Sequence, residues 1–306
     1  VLAFGEAYVR AVPEEGVAAS IKHFPGDGCD ERDQHLVVSI NDLDCDTWDA
    51  TYGNAYQASI DAGAMTVMVG HIMQPAYSRK LKPDIADKDI MPATLAPELI
   101  QGLLRNKLGF TGLVVSDATT MAGFLIPMNR AEAVPRCIAA GCDVFLFAKN
   151  MEEDIEFMRK GYENGIITKE RLDEAVIRIL ALKAALKLHK KNNIPTKAEA
   201  EKIIATQEHR QWTRECADKS VTLVKNNGNI LPVSPATHKR VQLVSLSTGG
   251  SYYSAGGGED IGEKFAEMLR AEGFEVTIFT PNAAMEGRGA RYMETVESYD
   301  LILYVS

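Results

Sequence analysis

The sequence contains no apolar run of about 18 residues or more, so no segment of it reads as a membrane-crossing helix. It also shows no leader of the basic, then apolar, then small-residue kind. Cysteine is scarce: the five present, at 29, 45, 137, 142 and 216, are too few and too scattered for a disulfide framework, and none forms a close metal-binding pair. Their odd number points toward a reducing compartment and so toward the cytoplasm, with localisation otherwise open. Basic residues are in deficit, 33 Lys and Arg against 42 Asp and Glu for a formal charge of −9, which argues against nucleic acid or an anionic membrane as the partner. A small neutral ligand fits more easily. There is no internal repeat and no low-complexity tract. The chain opens on Val1 and closes on the apolar "LILYVS", which reads as a strand cut at its end, so residues are expected beyond both ends.

What is present is the composition of an ordinary folded protein, 46% hydrophobic and 25% charged, in 306 residues that leave room for two domains. Apolar runs alternate with helical patterns. A helix over 1 to 18, with an apolar face from Leu2, Ala3, Tyr8 and Val9, leads into "VAASI"; a helix over 47 to 64 leads into the strand "MTVMVGHI". A helix over 95 to 108 precedes a strand over 109 to 117, and a helix over 129 to 141, despite its internal Pro135, precedes the strand "CDVFLF" at 142 to 147. Such alternation describes a β/α array with buried parallel strands. A long amphipathic helix from 169 and the polar "KNNIPTKAEAEKI" mark a linker, set at 191 to 215 between units of 1 to 190 and 216 to 306. Beyond it a helix over 202 to 219, a strand-like 220 to 226, strands at 240 to 247, 274 to 280 and 300 to 306, and a helix at 260 to 273 describe a second α/β unit.

In β/α arrays function gathers at the carboxyl ends of the strands, which is where Lys22, His23, His71 and Asp117 stand. Asp117 follows an apolar strand, either as a rigidly held nucleophile or as the cap of the next helix. Asp33 and His35 are two apart in "DERDQH", a spacing that lets a carboxylate fix the imidazole tautomer and make His35 a proton shuttle; a lone surface histidine is the plainer alternative. Lys22 and His23 are suited to donating to ligand hydroxyls, although Lys22 could instead satisfy a buried carboxylate. His71 reads equally as a pocket wall or as a satisfied core histidine. Gly26 and Gly28 bracket Asp27 and permit a tight loop. His23, Asp27, Asp30, Asp33, His35 and His71 are potential metal ligands, but their spacing matches no defined site and no metal is expected. The glycine-rich "STGGSYYSAGGGED" at 247 to 260 lacks the endings of a phosphate or dinucleotide loop, so no cofactor is expected either.

These residues resemble glycoside hydrolase family 3, in particular its β-N-acetylglucosaminidase branch. The resemblance is carried by "GVAASIKHFPGDG" (16 to 28), "DQH" (33 to 35), "TVMVGHIMQP" (66 to 75), "MPATLAPELIQGLLRNKLGFTGLVVSDATTMAG" (91 to 123), "CIAAGCDVFLF" (137 to 147) and "ADKSVTLVKNNGNILPV" (217 to 233). It implies a (β/α)8 TIM barrel, of which only the C-terminal half is apparent, followed by an α/β sandwich domain. It further implies that Asp117 is the retaining nucleophile, that His35 held by Asp33 is the acid/base, and that Lys22 and His23 bind sugar hydroxyls. Asp27 departs from the histidine common at its position in the branch. The implied reaction releases terminal β-linked N-acetylglucosamine. Phosphorolysis, β-glucosidase activity and an inactive carbohydrate-binding protein are the alternatives, and a muropeptide fragment, as in cell wall recycling, a chitin oligomer or a glycoconjugate are candidate substrates. Oligomeric state is not legible.

Overall fold

The computed structural model describes residues 1–190, 194–245, 261–279 and 298–305, and the chain divides into two compact units, Val1–Lys197 and Ala198–Ser306. The glycine-rich 247 to 260 stretch lies outside the described residues.

The first unit is built on a parallel sheet of order β1-β3-β5, from β1 (Ser20–Phe24), β3 (Thr66–Val69) and β5 (Leu113–Ser116), with a separate parallel pair of β2 (Ser39–Ile40) and β4 (Ile72–Met73). The register Thr66↔Leu113 to Val69↔Ser116 is unbroken, whereas the β1–β3 pairing shifts between Ile21 and Phe24. Helix α1 (Leu2–Glu14) precedes β1. Between β2 and β3 the chain is helical from Cys45 to Asp61, as α2 (Cys45–Trp48), a π turn (Asp49–Gly53) and α3 (Asn54–Asp61). Helix α4 (Pro75–Leu81) and a π-helical Glu98–Lys107 lead to β5. After β5 come α5 (Ala122–Leu125), α6 (Arg130–Ala140), α7 (Met151–Glu163) and α8 (Lys169–Ala185). Side chains cap several of these helices. Asp44 accepts from the backbone N–H of Asp46 and Thr47, both at 2.9 Å, and Asn150 accepts from Glu152 and Glu153, both at 3.1 Å.

The core lies between the sheet and its helices. Leu99, Ile100, Leu103 and Leu104 recur at helical spacing and are fully buried against Val67, Val69 and Val114. Trp48 joins this core to the loop after β1: its ring packs edge-on to Phe24 and Tyr77, and its Nε1–H donates to the Pro25 carbonyl at 2.8 Å.

The structure corrects several expectations. The fourth strand, at 142 to 147, is reduced to one parallel bridge, Val115↔Val144. Its pairing is partly replaced by a side chain, because the buried Asp143 carboxylate accepts the Val114 N–H at 2.9 Å while binding Arg105, Arg171 and Arg178. The strand expected over 65 to 72 stops at Val69, where Gly70 N–H turns to the Phe24 carbonyl at 2.8 Å. Helix α1 ends at Glu14, and of its expected apolar face only Val9 is buried, since the helix packs along α3 by one edge.

In the second unit β6 (Arg240–Ser245) is flanked by β7 (Glu275–Phe279) and β8 (Leu301–Val305) in a parallel sheet of order β7-β6-β8. Helices α9 (Lys197–Ile203) and α10 (Gln207–Ser220) precede it, and α11 (Ile261–Ala271) packs on β6 and β7. Residues 220 to 226, expected as a strand, form no ladder with any described residue and leave Val221, Leu223 and Val224 exposed.

Candidate active site

The ends of β1, β3 and β5 and the loop 25–38 converge on Asp117. The Asp117 backbone N–H donates to the Val69 carbonyl at 2.9 Å, continuing the β3–β5 ladder by one residue. Its side chain is only 11% exposed; Oδ1 accepts the Ala118 N–H at 2.7 Å, and Oδ2 lies 3.5 Å from His23 Nε2. One carboxylate oxygen is thus held by backbone and the other faces His23. The segment that follows Asp117 is bonded at two points. Thr119 donates its hydroxyl to the Phe147 carbonyl at 2.7 Å, and Arg130 donates to the Thr119 carbonyl at 2.7 Å while binding Asp154 through two hydrogen bonds of 2.7 and 2.6 Å.

His23 is oriented from its other side. Nδ1 is 2.6 Å from Asp27 Oδ2, and because a carboxylate only accepts, Nδ1 carries the proton and Nε2 turns toward Asp117. The loop that brings Asp27 there depends on Gly26: at φ 127°, a Cβ would sit 2.2 Å from the Tyr52 ring. Tyr52 closes the loop by donating its hydroxyl to the Asp27 carbonyl at 2.7 Å; burial, with the Cys29 thiol 3.3 Å away, pushes that phenol up to about 12. Lys22 is exposed and makes no ion pair among the described residues.

Asp33 and His35 form the expected pair. Asp33 Oδ1 accepts the His35 backbone N–H at 2.9 Å and meets the ring Nδ1 at 2.6 Å, and these two bonds hold the Asp33 carboxyl below the usual carboxylate range. Nδ1–H is therefore fixed on the carboxylate side, because a carboxylate only accepts. The loop is tied to the segment after Asp117: the His35 carbonyl accepts Ala122 N–H at 3.1 Å, and the Gln34 carbonyl accepts Gly123 N–H at 3.2 Å.

His71 is fully buried, and both its ring nitrogens are occupied. Nε2–H donates to the Ala118 carbonyl at 2.9 Å, so Nδ1 is the acceptor for the Thr94 hydroxyl at 2.9 Å, and burial pushes the ring's pKa down. Of its two readings, the geometry is that of a satisfied core histidine lying under Asp117. The sequence reading missed Gln34 and Thr94. Gln34 stands inside the dyad motif, which is a signal of place but not of role, and Thr94 carries no local signal. Among the described residues no group of three or more His, Cys, Asp or Glu is placed to hold a metal ion, and no helix is long and apolar enough to cross a membrane.

A family model described as the glycosyl hydrolase family 3 N terminal domain matches residues 1–182. A Cellulomonas fimi protein named beta-N-acetylglucosaminidase/beta-glucosidase is 50% identical over 306 residues, all of this chain and 54% of that protein. A beta-hexosaminidase of Stenotrophomonas maltophilia is 38% identical over 146 residues, 48% of this chain and 40% of its own length. Among solved structures, one titled beta-glucoside phosphorylase BglX matches with a TM-score of 0.76 at 41% identity, over 98% of this chain and 53% of that one. A family 3 beta-N-acetylglucosaminidase from Paenibacillus sp. str. FPU-7 matches with a TM-score of 0.73 at 25% identity, over 98% of this chain and 55% of that one. The chain thus spans about half the length of these fuller relatives. A β/α unit with an aspartate at the end of β5 and a sequence matched to the family model over residues 1–182 make this chain a member of glycosyl hydrolase family 3.

Proposed function

We propose that the protein is a retaining glycoside hydrolase that releases terminal β-linked N-acetylglucosamine, with Asp117 as nucleophile and His35 as acid/base. The observation that carries this reading is the 2.6 Å contact between His35 Nδ1 and Asp33 Oδ1, in a loop bonded to the residues that follow Asp117. A buried, backbone-held carboxylate suits attack on the anomeric carbon, and an imidazole with Nδ1 anchored suits proton transfer at Nε2. In the first step an Asp117 oxygen forms a bond to the anomeric carbon while the bond to the leaving oxygen breaks and His35 Nε2 supplies that oxygen's proton. In the second, a water oxygen attacks the same carbon, His35 Nε2 takes the water's proton and the Asp117 ester bond breaks, giving net retention. Asp33, acceptor-only, stabilises the imidazolium that the first step consumes and the second restores. Lys22 and His23 bind sugar hydroxyls.

In this reading residues 1 to 190 are the second half of a (β/α)8 barrel, 191 to 215 the linker, and 216 to 306 the start of an α/β sandwich domain. A second reading is favoured by one observation, the 41% identity to a protein titled beta-glucoside phosphorylase. An imidazole neutral after protonating the leaving group repels phosphate less than a carboxylate would, which suits phosphate as the acceptor. The test is turnover of an aryl β-N-acetylglucosaminide and the matching β-glucoside, each with a weakly acidic leaving group, by the whole protein, with and without phosphate, for wild type, Asp117→Asn and His35→Ala. Cleavage of the acetamido sugar with both folded variants inactive supports the hydrolase. A sugar 1-phosphate product moves the assignment to phosphorylase, preference for the glucoside changes the substrate, and full activity of His35→Ala removes the dyad.

A further inference from the structure

Gln34 sits between the two members of the dyad and differs from both in burial. The Asp33 and His35 side chains are 58% and 46% exposed, whereas Gln34 is 6% exposed as a whole residue. Burial therefore distinguishes the neighbour from the pair, and the buried residue is the one whose side chain is anchored below the loop. The Gln34 amide Nε2 donates to Asp27 Oδ2 at 3.2 Å, and its Oε1 accepts the His71 backbone N–H at 2.9 Å. The two partners settle which amide atom is which, because a carboxylate requires a donor and an N–H an acceptor.

We propose that Gln34 is a positioning residue for the proton-transfer step, holding His35 at a fixed place relative to Asp117. The proposal rests on His35 being the acid/base. Two separate chains of contacts run from Gln34 toward the nucleophile. One runs through His71, whose Nε2–H binds the carbonyl of Ala118, the residue next to Asp117. The other runs through Asp27, which shares Oδ2 between Gln34 and His23, whose Nε2 is 3.5 Å from Asp117 Oδ2. The Gln34 carbonyl adds a third tie, to Gly123 N–H at 3.2 Å. A residue here must donate to a carboxylate and accept from an N–H at once, which a primary amide does and which glutamate and methionine each do only in part. The role is one of placement, since the side-chain bonds of Gln34 go to Asp27 and to the His71 backbone.

A positioning role predicts a loss that depends on how much the leaving group needs an acid. The experiment measures kcat/KM of the whole protein on aryl β-N-acetylglucosaminides of graded leaving-group acidity, or on the matching glucosides should those be the faster substrates. Wild type, Gln34→Met, Gln34→Glu and His35→Ala are compared. Removal of a general acid costs roughly 100- to 10,000-fold where protonation is needed, and misplacing it costs a share of that. Gln34→Met is expected to lose about 10- to 100-fold on the least acidic leaving groups and less than about 3-fold on the most acidic, with KM nearly unchanged. Gln34→Glu keeps the acceptor for His71 N–H but sets a carboxylate against Asp27, and shows the same skew should Gln34→Met fail to fold. A uniform loss across the series in a folded variant, or no loss, beside a skewed loss in His35→Ala, would overturn the positioning role alone. An even loss in His35→Ala would overturn the acid assignment and this proposal with it.

Discussion

Gly123 packs against both His71 and the dyad loop, and replacing it by alanine tests whether that loop is held by contact. A Cβ built at Gly123 lies 2.7 Å from His71 Cβ, 2.8 Å from the Gln34 carbonyl oxygen and 3.2 Å from the Val37 carbonyl oxygen. Carbon pairs rest at about 3.5 to 4.0 Å, so one side must yield by roughly an ångström. His71 is poorly able to do so, being fully buried with both ring nitrogens bonded. The loop over 34 to 37 is therefore the part that moves, and with it go the Gly123 N–H to Gln34 and Ala122 N–H to His35 hydrogen bonds. Overpacking of this kind costs about 1–3 kcal/mol, and a displacement of about 1 Å at a catalytic group costs on the order of 100-fold in rate. Gly123→Ala is expected to lower Tm by a few degrees while kcat/KM on a poor leaving group falls about 100-fold. Thermal unfolding and steady-state kinetics on the same preparation read both. Activity within about 3-fold of wild type in a variant destabilised by at least about 1 kcal/mol would refute the reasoning, because the loop would then have absorbed the methyl without moving His35.

The Arg130–Asp154 pair supports the segment after Asp117 from a site where both side chains are at most 12% exposed. Breaking one partner strands a buried charge: Asp154→Leu alone is expected to cost about 3–5 kcal/mol, and the double variant with Arg130→Met to recover much of it, as read by denaturant unfolding. Equal losses in single and double variants would contradict this. His71 has its pKa depressed by burial, so at pH values above the ordinary histidine value both folded and unfolded chains hold it neutral and its contribution to stability is complete. As pH falls below about 6.5 the unfolded chain takes up the proton first, and stability drops at up to about 1.4 kcal/mol per pH unit. His71→Asn is expected to flatten the stability-against-pH curve between about pH 6.5 and 5, and an unchanged slope would place the acid sensitivity elsewhere.

The local parts of the site were legible because close spacing enforces them. Asp33 and His35, two residues apart, meet through one loop turn, and Asp117 could be placed because an apolar strand ending in a carboxylate puts it at a strand terminus. The strand over 142 to 147 departs from its pattern for a physical reason: its apolar run reads as a full strand, but Asp143 gives its carboxylate, not its backbone alone, to Val114. Helix α1 buries less than its apolar pattern implies, because apolar side chains predict a face, not the width of the partner that covers it.

The sequence by itself determined the alternation of strands and helices, the residue types at the strand ends and the dyad, since each depends on periodicity or on spacings of a few residues. The tertiary structure alone decided that His71 lies sealed beneath Asp117, that Gln34 binds its N–H from 37 positions away, and that His71 reaches a carbonyl 47 positions off. Those partners are set by the parallel register of β1, β3 and β5, which aligns the ends of three strands distant in sequence and brings their loops within hydrogen-bonding reach.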